Sequence, residues 1–383
     1  MKYLVFMLLC AMLGGCATPP AQPSPEALFH DELFAAPALR ADADQVFALS
    51  DAMKRYVHVD IAHQLRTDGP ARGLINALYR HDQLKLDYDS AATRNAAQAF
   101  EARQGNCLSL VIMTAAFAKE LGLQVTYQTV AAEETWSRSD GIAFLSTHIN
   151  LTLGPRAIHA RAGFDASRSL TIDFLPAESI RGQRAQPVAE DKVIAMYMNN
   201  RAAEALAGGR VAEAYGWARG AIVRAPDFFS PYNTLGVVYT RHGNPQAAEQ
   251  VFRHLIQHDP TDKQALSNLA TMLDKLGRAE ESTVLRERLT RLEPYPPFHF
   301  FQLGTAAMQR GDFKAAKLLF AKEVDRADYS SEFHFWLGVA NFRLGELDEA
   351  RKQIALAMEN STTRADHALY AAKLERLRAD GLR

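Results

Sequence analysis

Apolar and polar positions along the chain change period twice, and the changes divide it into three stretches. From Leu108 to Leu121, residues Leu110, Val111, Thr114, Phe117, Ala118 and Leu121 recur at three- and four-residue steps, the spacing of one helix face. Gly122 follows where a left-handed C-terminal cap sits. Beyond it the period drops to two. Gln124 to Val130 alternates, and His148 to Leu153 sets Ile149, Leu151 and Leu153 against His148, Asn150 and Thr152. Ser169 to Phe174 does the same, with Leu170, Ile172 and Phe174 opposite Thr171 and Asp173. Three strands are predicted, and if the last two are neighbours His148 and Asp173 lie side by side. Residues 25–103 read as helical segments broken by turns, Thr67-Asp68-Gly69-Pro70 being the clearest breaker.

The third stretch has a longer period. Gly209, Gly243, Gly277, Gly311 and Gly345 are thirty-four residues apart. Ala202, Gly236, Ala270, Gly304 and Gly338 keep that interval, as do Ala214, Ala248, Ser282, Ala316 and Ala350. Small residues at fixed offsets predict helix pairs that cross closely, with a glycine turn inside each pair. Thirty-four is the period of the tetratricopeptide repeat, and these positions resemble its small-residue signature. The resemblance implies five repeats over residues 195–363, a polar capping helix over 364–383, and a groove that takes a protein or peptide partner. Counting from the aligned glycines, that groove is expected to carry Phe298, Phe301, Phe335 and Phe342, with Asn233, Thr240, Gln264 and Asp274 at its polar end. The alternative for each phenylalanine is inter-repeat core.

The N-terminus carries a different signal. Lys2 precedes an apolar run from Tyr3 to Leu13 that is too short to span a bilayer. It ends in Leu13-Gly14-Gly15-Cys16, which resembles the cleavage box of bacterial lipoproteins. That resemblance implies a signal peptide over 1–16 and a lipid on Cys16. With Ala17 rather than Asp behind the cysteine, it also implies an outer-membrane anchor facing the periplasm. An ordinary secretory signal with a chance cysteine is the alternative. Pro19, Pro20, Pro23 and Pro25 suit an extended tether over 17–26.

Export changes the meaning of the three cysteines. Cys10 leaves with the signal and Cys16 takes the lipid, so Cys107 is the only thiol of the mature chain, in an oxidising compartment. Gly105-Asn106 closes a turn, and Cys107 opens the predicted helix. Free N–H groups and the positive end of the helix dipole favour negative charge on its sulfur. The bland alternative is a small buried hydrophobe.

Composition narrows the chemistry further. At 383 residues the chain has room for two or three domains. A net charge of −1 without a basic run argues against nucleic acid as partner. No phosphate loop and no paired-cysteine motif occur, so no cofactor is expected. His254 and His258 are four apart on a repeat helix, but no third ligand is near and a solvated face is the better reading, so no metal is expected.

A cysteine at a helix start, a histidine opening a strand and an aspartate on the next strand together resemble the transglutaminase-like superfamily of papain-like thiol folds. Gly105-Asn106-Cys107 followed by Leu108-Ser109-Leu110 and Ala118-Lys119-Glu120-Leu121-Gly122-Leu123 is similar to that family's cysteine helix, and the likeness covers about residues 85–180. It implies that Cys107 attacks an amide or ester carbonyl, His148 acts as general base and Asp173 orients the imidazole. The backbone N–H of Cys107 would meet the oxyanion, with Gln104 the nearest further donor by sequence. His159 and Asp165 are reserves in a hairpin loop. The chain departs from the family at Ile149-Asn150, where many members have an aromatic residue after the histidine.

The expected fold is therefore an α+β transglutaminase-like domain with N-terminal helices over 27–190, followed by an all-α tetratricopeptide-repeat solenoid. The expected function is an envelope-located cysteine hydrolase or acyl transferase whose repeats recruit a partner. The alternative is a non-catalytic adaptor lipoprotein with a degenerate thiol fold. The anchor has a direct test. Cys16→Ala is expected to move the protein from the membrane to the soluble fraction, measured by fractionation and blotting, and a variant that stays membrane-bound contradicts lipidation.

Overall fold

The computed structural model describes residues 24–34, 43–79, 87–89, 92–139, 142–156, 169–174, 185–361 and 363–380. The signal segment with Cys16, the tether up to residue 23, and the reserve pair His159 and Asp165 lie outside the described residues.

The first half is built around one buried helix. Short helices α1 (Asp51–Arg55, running on into a π turn at Tyr56–Asp60), α2 (Ala62–Thr67) and α3 (Pro70–Tyr79) come first. β1 (Asp87–Tyr88), α4 (Ala96–Ala102) and β2 (Gln104–Gly105) lead to α5 (Cys107–Glu120), and Gly122 closes α5 at φ 70° as expected. Every residue of α5 from Leu108 to Ala118 is buried, Ser109 and Thr114 included, so the helix is enclosed all round rather than on one face. Tyr56 and Phe100 pack on Phe117 with ring centroids 5.9 and 5.6 Å away.

Four antiparallel strands cover this helix: β3 (Leu123–Ser139), β4 (Ile142–Arg156), β5 (Leu170–Ile172) and β6 (Ala185–Val188), in the order β5-β4-β3-β6. Ile149, Leu151 and Leu153 of β4 are fully buried in the core with α5, and the register pairs Leu151 with Ile172 and Leu153 with Leu170. The predicted alternation thus places the core side of both strands correctly.

The second half is a stack of helix pairs: α6 (Glu190–Ala207) with α7 (Val211–Arg224), α8 (Ser230–His242) with α9 (Pro245–His258), and α10 (Lys263–Lys275) with α11 (Ala279–Leu292). Then come α12 (His299–Gln309) with α13 (Phe313–Arg326), α14 (Ser331–Arg343) with α15 (Leu347–Glu359), and a last helix α16 (Arg364–Asp380). The five periodic glycines turn the chain between the two members of each pair at φ values from 73° to 87°, a region that strains any residue with a Cβ. The second small position answers to its neighbour across the pair. A Cβ on Gly236 would lie 2.4 Å from the Phe252 ring, on Gly304 2.7 Å from Phe320 and on Gly338 2.7 Å from Ile354. Where this position is Ala202 or Ala270, the residue at the place of Phe252 is Ala218 or Arg286.

Two boundaries differ from expectation. No linker separates the halves, because α6 runs unbroken across the expected gap at 190–195. Its residues Val193 to Met198 belong to the core around α5, while Ala202, Ala205 and Leu206 belong to the repeat core. Lys119 of α5 and Tyr127 of β3 both bond Glu190 at the helix start, the tyrosine hydroxyl donating over 3.0 Å. The second difference is residues 27–34, which the sequence assigns to the thiol domain but which dock on the repeats. Two 3₁₀ turns, Pro25–Leu28 and Asp31–Leu33, replace the expected helix. Phe34 stacks on Tyr215 at 4.0 Å, and the Tyr239 hydroxyl donates to the Leu28 carbonyl over 2.8 Å. Contacts across such sequence distances leave no local trace in the pattern.

The two glycine classes predict different costs. Gly243→Val is expected to lower stability by about 1–3 kcal/mol through backbone strain, although open space surrounds its Cβ position. Gly236→Ala, with no strained φ, is expected to cost about 1–3 kcal/mol through overpacking on Phe252, and Phe252→Leu in the same chain to recover part of it. Urea unfolding of the single and double variants checks both, and additive effects for Gly236 and Phe252 overturn the packing account.

Candidate functional site

Cys107 is the first residue of α5, and its position is set by Asn106 immediately before it. Asn106 has extended backbone angles and caps the helix: its Oδ1 accepts from Ser109 N at 2.9 Å and from Ser109 Oγ at 2.8 Å. A Cβ on Gly105 would lie 2.7 Å from the Ser109 Cβ, which explains the glycine of the Gly105-Asn106-Cys107 signature. The Asn106 amide donates to Thr93 Oγ1 over 2.9 Å. Thr93 is held in turn by α6: its N–H donates to Glu204 Oε1 over 2.6 Å, and Asn200 Nδ2 donates to its hydroxyl over 3.2 Å. The turn that presents the sulfur is therefore bolted to the first helix of the repeats.

His148 and Asp173 come together as the strand alternation predicts. His148 Nε2 donates to Asp173 Oδ1 over 2.7 Å. Asp173 is the first residue beyond β5, and continuing the Leu151–Ile172 register sets it opposite Asn150. The Asn150 amide donates to the other carboxylate oxygen, Oδ2, over 3.0 Å. His148 and Asn150 are each 5% exposed, and Cys107 is half-buried. Cys107 lies close enough to act on the imidazole, whose Nε2 is taken by Asp173.

The electrostatics follow from that arrangement. Burial opposes charge on His148, but the hydrogen bond to Asp173 and the nearby Cys107 side chain, reinforced by the charge on each, outweigh it and push the imidazole up to about 9. All three predicted residues thus meet in one place. Gln104 lies in β2 opposite Asp87. Asn150, Thr93 and Glu204 were not singled out by sequence. For Asn150 a signal existed, since it shares the polar side of β4 with His148 two residues away.

The aromatic groove needs correction. Phe298 and Phe301 are 6% and 8% exposed and pack with Phe320 and Phe333 in the core between the fourth and fifth pairs. Phe335 is half-buried against Tyr370 of α16, ring centroids 5.1 Å apart. Only Phe342 of the four, at 44%, faces solvent. At these helix positions the period of the apolar residues is the same for a groove and for a stacking face. His254 is also not solvated: it is buried and stacks on Tyr232 at 5.4 Å, while His258 is exposed. Among the described residues no cluster of three His, Cys, Asp or Glu side chains offers a metal site.

A sequence model of the tetratricopeptide repeat matches residues 301–370, within the stack of helix pairs. The C-terminal half is a tetratricopeptide-type solenoid. Solved structures similar to this solenoid include one from a study titled functional characterization of Pseudomonas aeruginosa pilF, at 20% identity over 49% of this chain and 85% of that chain with a TM-score of 0.30. Another is TTC0263, a thermophilic tetratricopeptide protein of Thermus thermophilus, at 19% identity over 47% and 98% with a TM-score of 0.30. YrrB, described as a tetratricopeptide protein with an unusual peptide-binding site, matches at 19% identity over 47% and 92% with a TM-score of 0.25. The comparison with curated proteins returns no match.

The His148 environment makes a signed prediction. Its folded value of about 9 lies above the ordinary value of about 6.5, so the proton favours the folded state. That contribution is complete below pH 6.5, declines between 6.5 and 9, and is absent above 9. By NMR, His148 is expected to titrate near pH 9 in the wild type. In Asp173→Asn, where burial acts with less opposition, it is expected to titrate at or below about 6.5. A wild-type midpoint near 6.5 contradicts the hydrogen-bonded pair.

Proposed function

We propose that the chain is an envelope-located cysteine hydrolase or acyl transferase of transglutaminase-like type, with a repeat array that recruits a protein or peptide partner. The observation that carries this reading is the convergence of Cys107, His148 and Asp173, from a helix start, a strand and the end of the next strand, with His148 hydrogen-bonded to Asp173 and acted on by Cys107. Such an arrangement divides the labour of acyl transfer. The Cys107 sulfur adds to a carbonyl carbon, and the oxyanion is met by the Cys107 backbone N–H at the helix start. His148, held protonated through neutral pH, delivers its proton to the departing amine or alcohol as the C–N or C–O bond breaks. Water then attacks the thioester, passing one proton to His148 and releasing the carboxylic acid and the Cys107 thiolate, which restores the starting pair. Asp173 keeps the ring aimed through both halves. Hydrolysis outranks transfer to a second amine, because water competes strongly unless the site excludes it.

A non-catalytic adaptor is the second reading, favoured by the repeats: the family match runs from the fourth helix pair into the last helix, and arrays of this kind serve as protein-binding scaffolds. In both readings the repeats bind a partner. The N-terminal lipoprotein box supports an anchor in the outer membrane, facing the periplasm.

Thiol reactivity separates the two readings without a known substrate. On mature protein lacking Cys16, iodoacetamide is expected to alkylate Cys107 at pH 6–7 about tenfold or more faster in the wild type than in His148→Ala. Cys107→Ser is expected to abolish any peptidase or amidase activity while leaving thermal unfolding unchanged. Equal alkylation rates with and without His148 decide for the adaptor.

A further inference from the structure

The departure from the family pattern at Ile149-Asn150 has a counterpart in the geometry. His148 and Asn150 lie on the same side of β4, two residues apart, and each takes one oxygen of Asp173: Nε2 to Oδ1 at 2.7 Å and Nδ2 to Oδ2 at 3.0 Å. One strand thus grips both ends of the carboxylate. The amide does so at some expense to itself. Asn150 is almost fully buried, and its Oδ1 accepts no hydrogen bond among the described residues. A buried acceptor left unmet is destabilising, and an apolar side chain of the same size would avoid it. The donor half of the amide is what the site uses.

We propose that Asn150 is a positioning residue that acts through Asp173, fixing the carboxylate so that its other oxygen stays on His148. This inference rests on the acyl-transfer reading of Cys107 and adds a fourth residue to it. A carboxylate bonded at one oxygen can swing about its side-chain torsions; bonded at both, it has a single orientation, and so does the imidazole it holds. The groups that act on His148 are Asp173 after β5 and Cys107 at the start of α5, and Asn150 touches the first of them.

The test uses the mature full-length chain and reads His148 by NMR together with the pH profile of Cys107 alkylation. Asn150→Leu removes the donor at similar volume. It is expected to lower the His148 midpoint by about one unit or more and to slow alkylation at neutral pH. Asn150→Gln, which keeps an amide donor, is expected to restore part of both. Asp173→Asn calibrates the full effect. If Asp173→Asn moves both readouts and Asn150→Leu moves neither, the positioning role is overturned and the acyl-transfer reading stands. If Asp173→Asn also moves neither, both fall. Should Asn150→Leu not fold, the wild type decides: the Asn150 side-chain amide signals are expected to shift with the same pH midpoint as His148. Signals that stay flat through that transition overturn the proposal.

Discussion

Asn106 closes the turn on which the geometry of the thiol depends. Its side chain caps α5 through Ser109, and α5 is buried from Leu108 to Ala118, so the helix cannot adjust its axis without opening the core. The sulfur at its first residue is therefore as well placed as the cap. That cap is braced by Thr93, which is held in turn from outside the thiol unit by Glu204 and Asn200 of α6. A run of hydrogen bonds thus connects the cysteine turn to the helix that opens the solenoid.

On the side of β4 away from its apolar residues, the sheet supplies buried polar groups. A buried imidazole and a carboxylate are each unfavourable alone. Together they are tolerable because both carboxylate oxygens of Asp173 are met, one by His148 and one by Asn150. The apolar residues that alternate with them, Ile149, Leu151 and Leu153, anchor β4 on α5, so the strand that carries the histidine has the cysteine helix as its support. Core packing and site geometry are in this region the same contact.

Much of the site was legible because it is written in local periods. The alternation through His148–Leu153 and Ser169–Phe174 fixes which residues share a side of each strand, and antiparallel pairing does the rest. The glycines at thirty-four-residue intervals were legible for a similar reason, since a left-handed turn admits few other residues. What could not be read depends on contacts between distant parts of the chain. Phe298 and Phe301 have the same spacing whether they line a groove or pack beneath the next pair, and the structure chooses packing. The docking of Leu28 and Phe34 beside Tyr215 and Tyr239 joins residues from opposite ends of the chain, which no period records. Asn150 was visible as a polar residue, but its use of one amide hydrogen required the position of Asp173.

The continuity of α6 makes the two halves a screw rather than a pair of modules. Each residue added within a helix advances the remainder of the chain by about 1.5 Å and turns it by about 100°. A one-residue insertion between Met198 and Ala202 would swing the array to another side of the thiol site and draw Ala221 and Ala225 out of the core around α5. It would also carry Glu204 away from Thr93, loosening the cysteine turn at the same stroke. An insertion of seven, close to two full turns, would restore the facing and lengthen the arm by about 10 Å. The direction in which the array faces, seen from the thiol site, is thus set by the pitch of one helix.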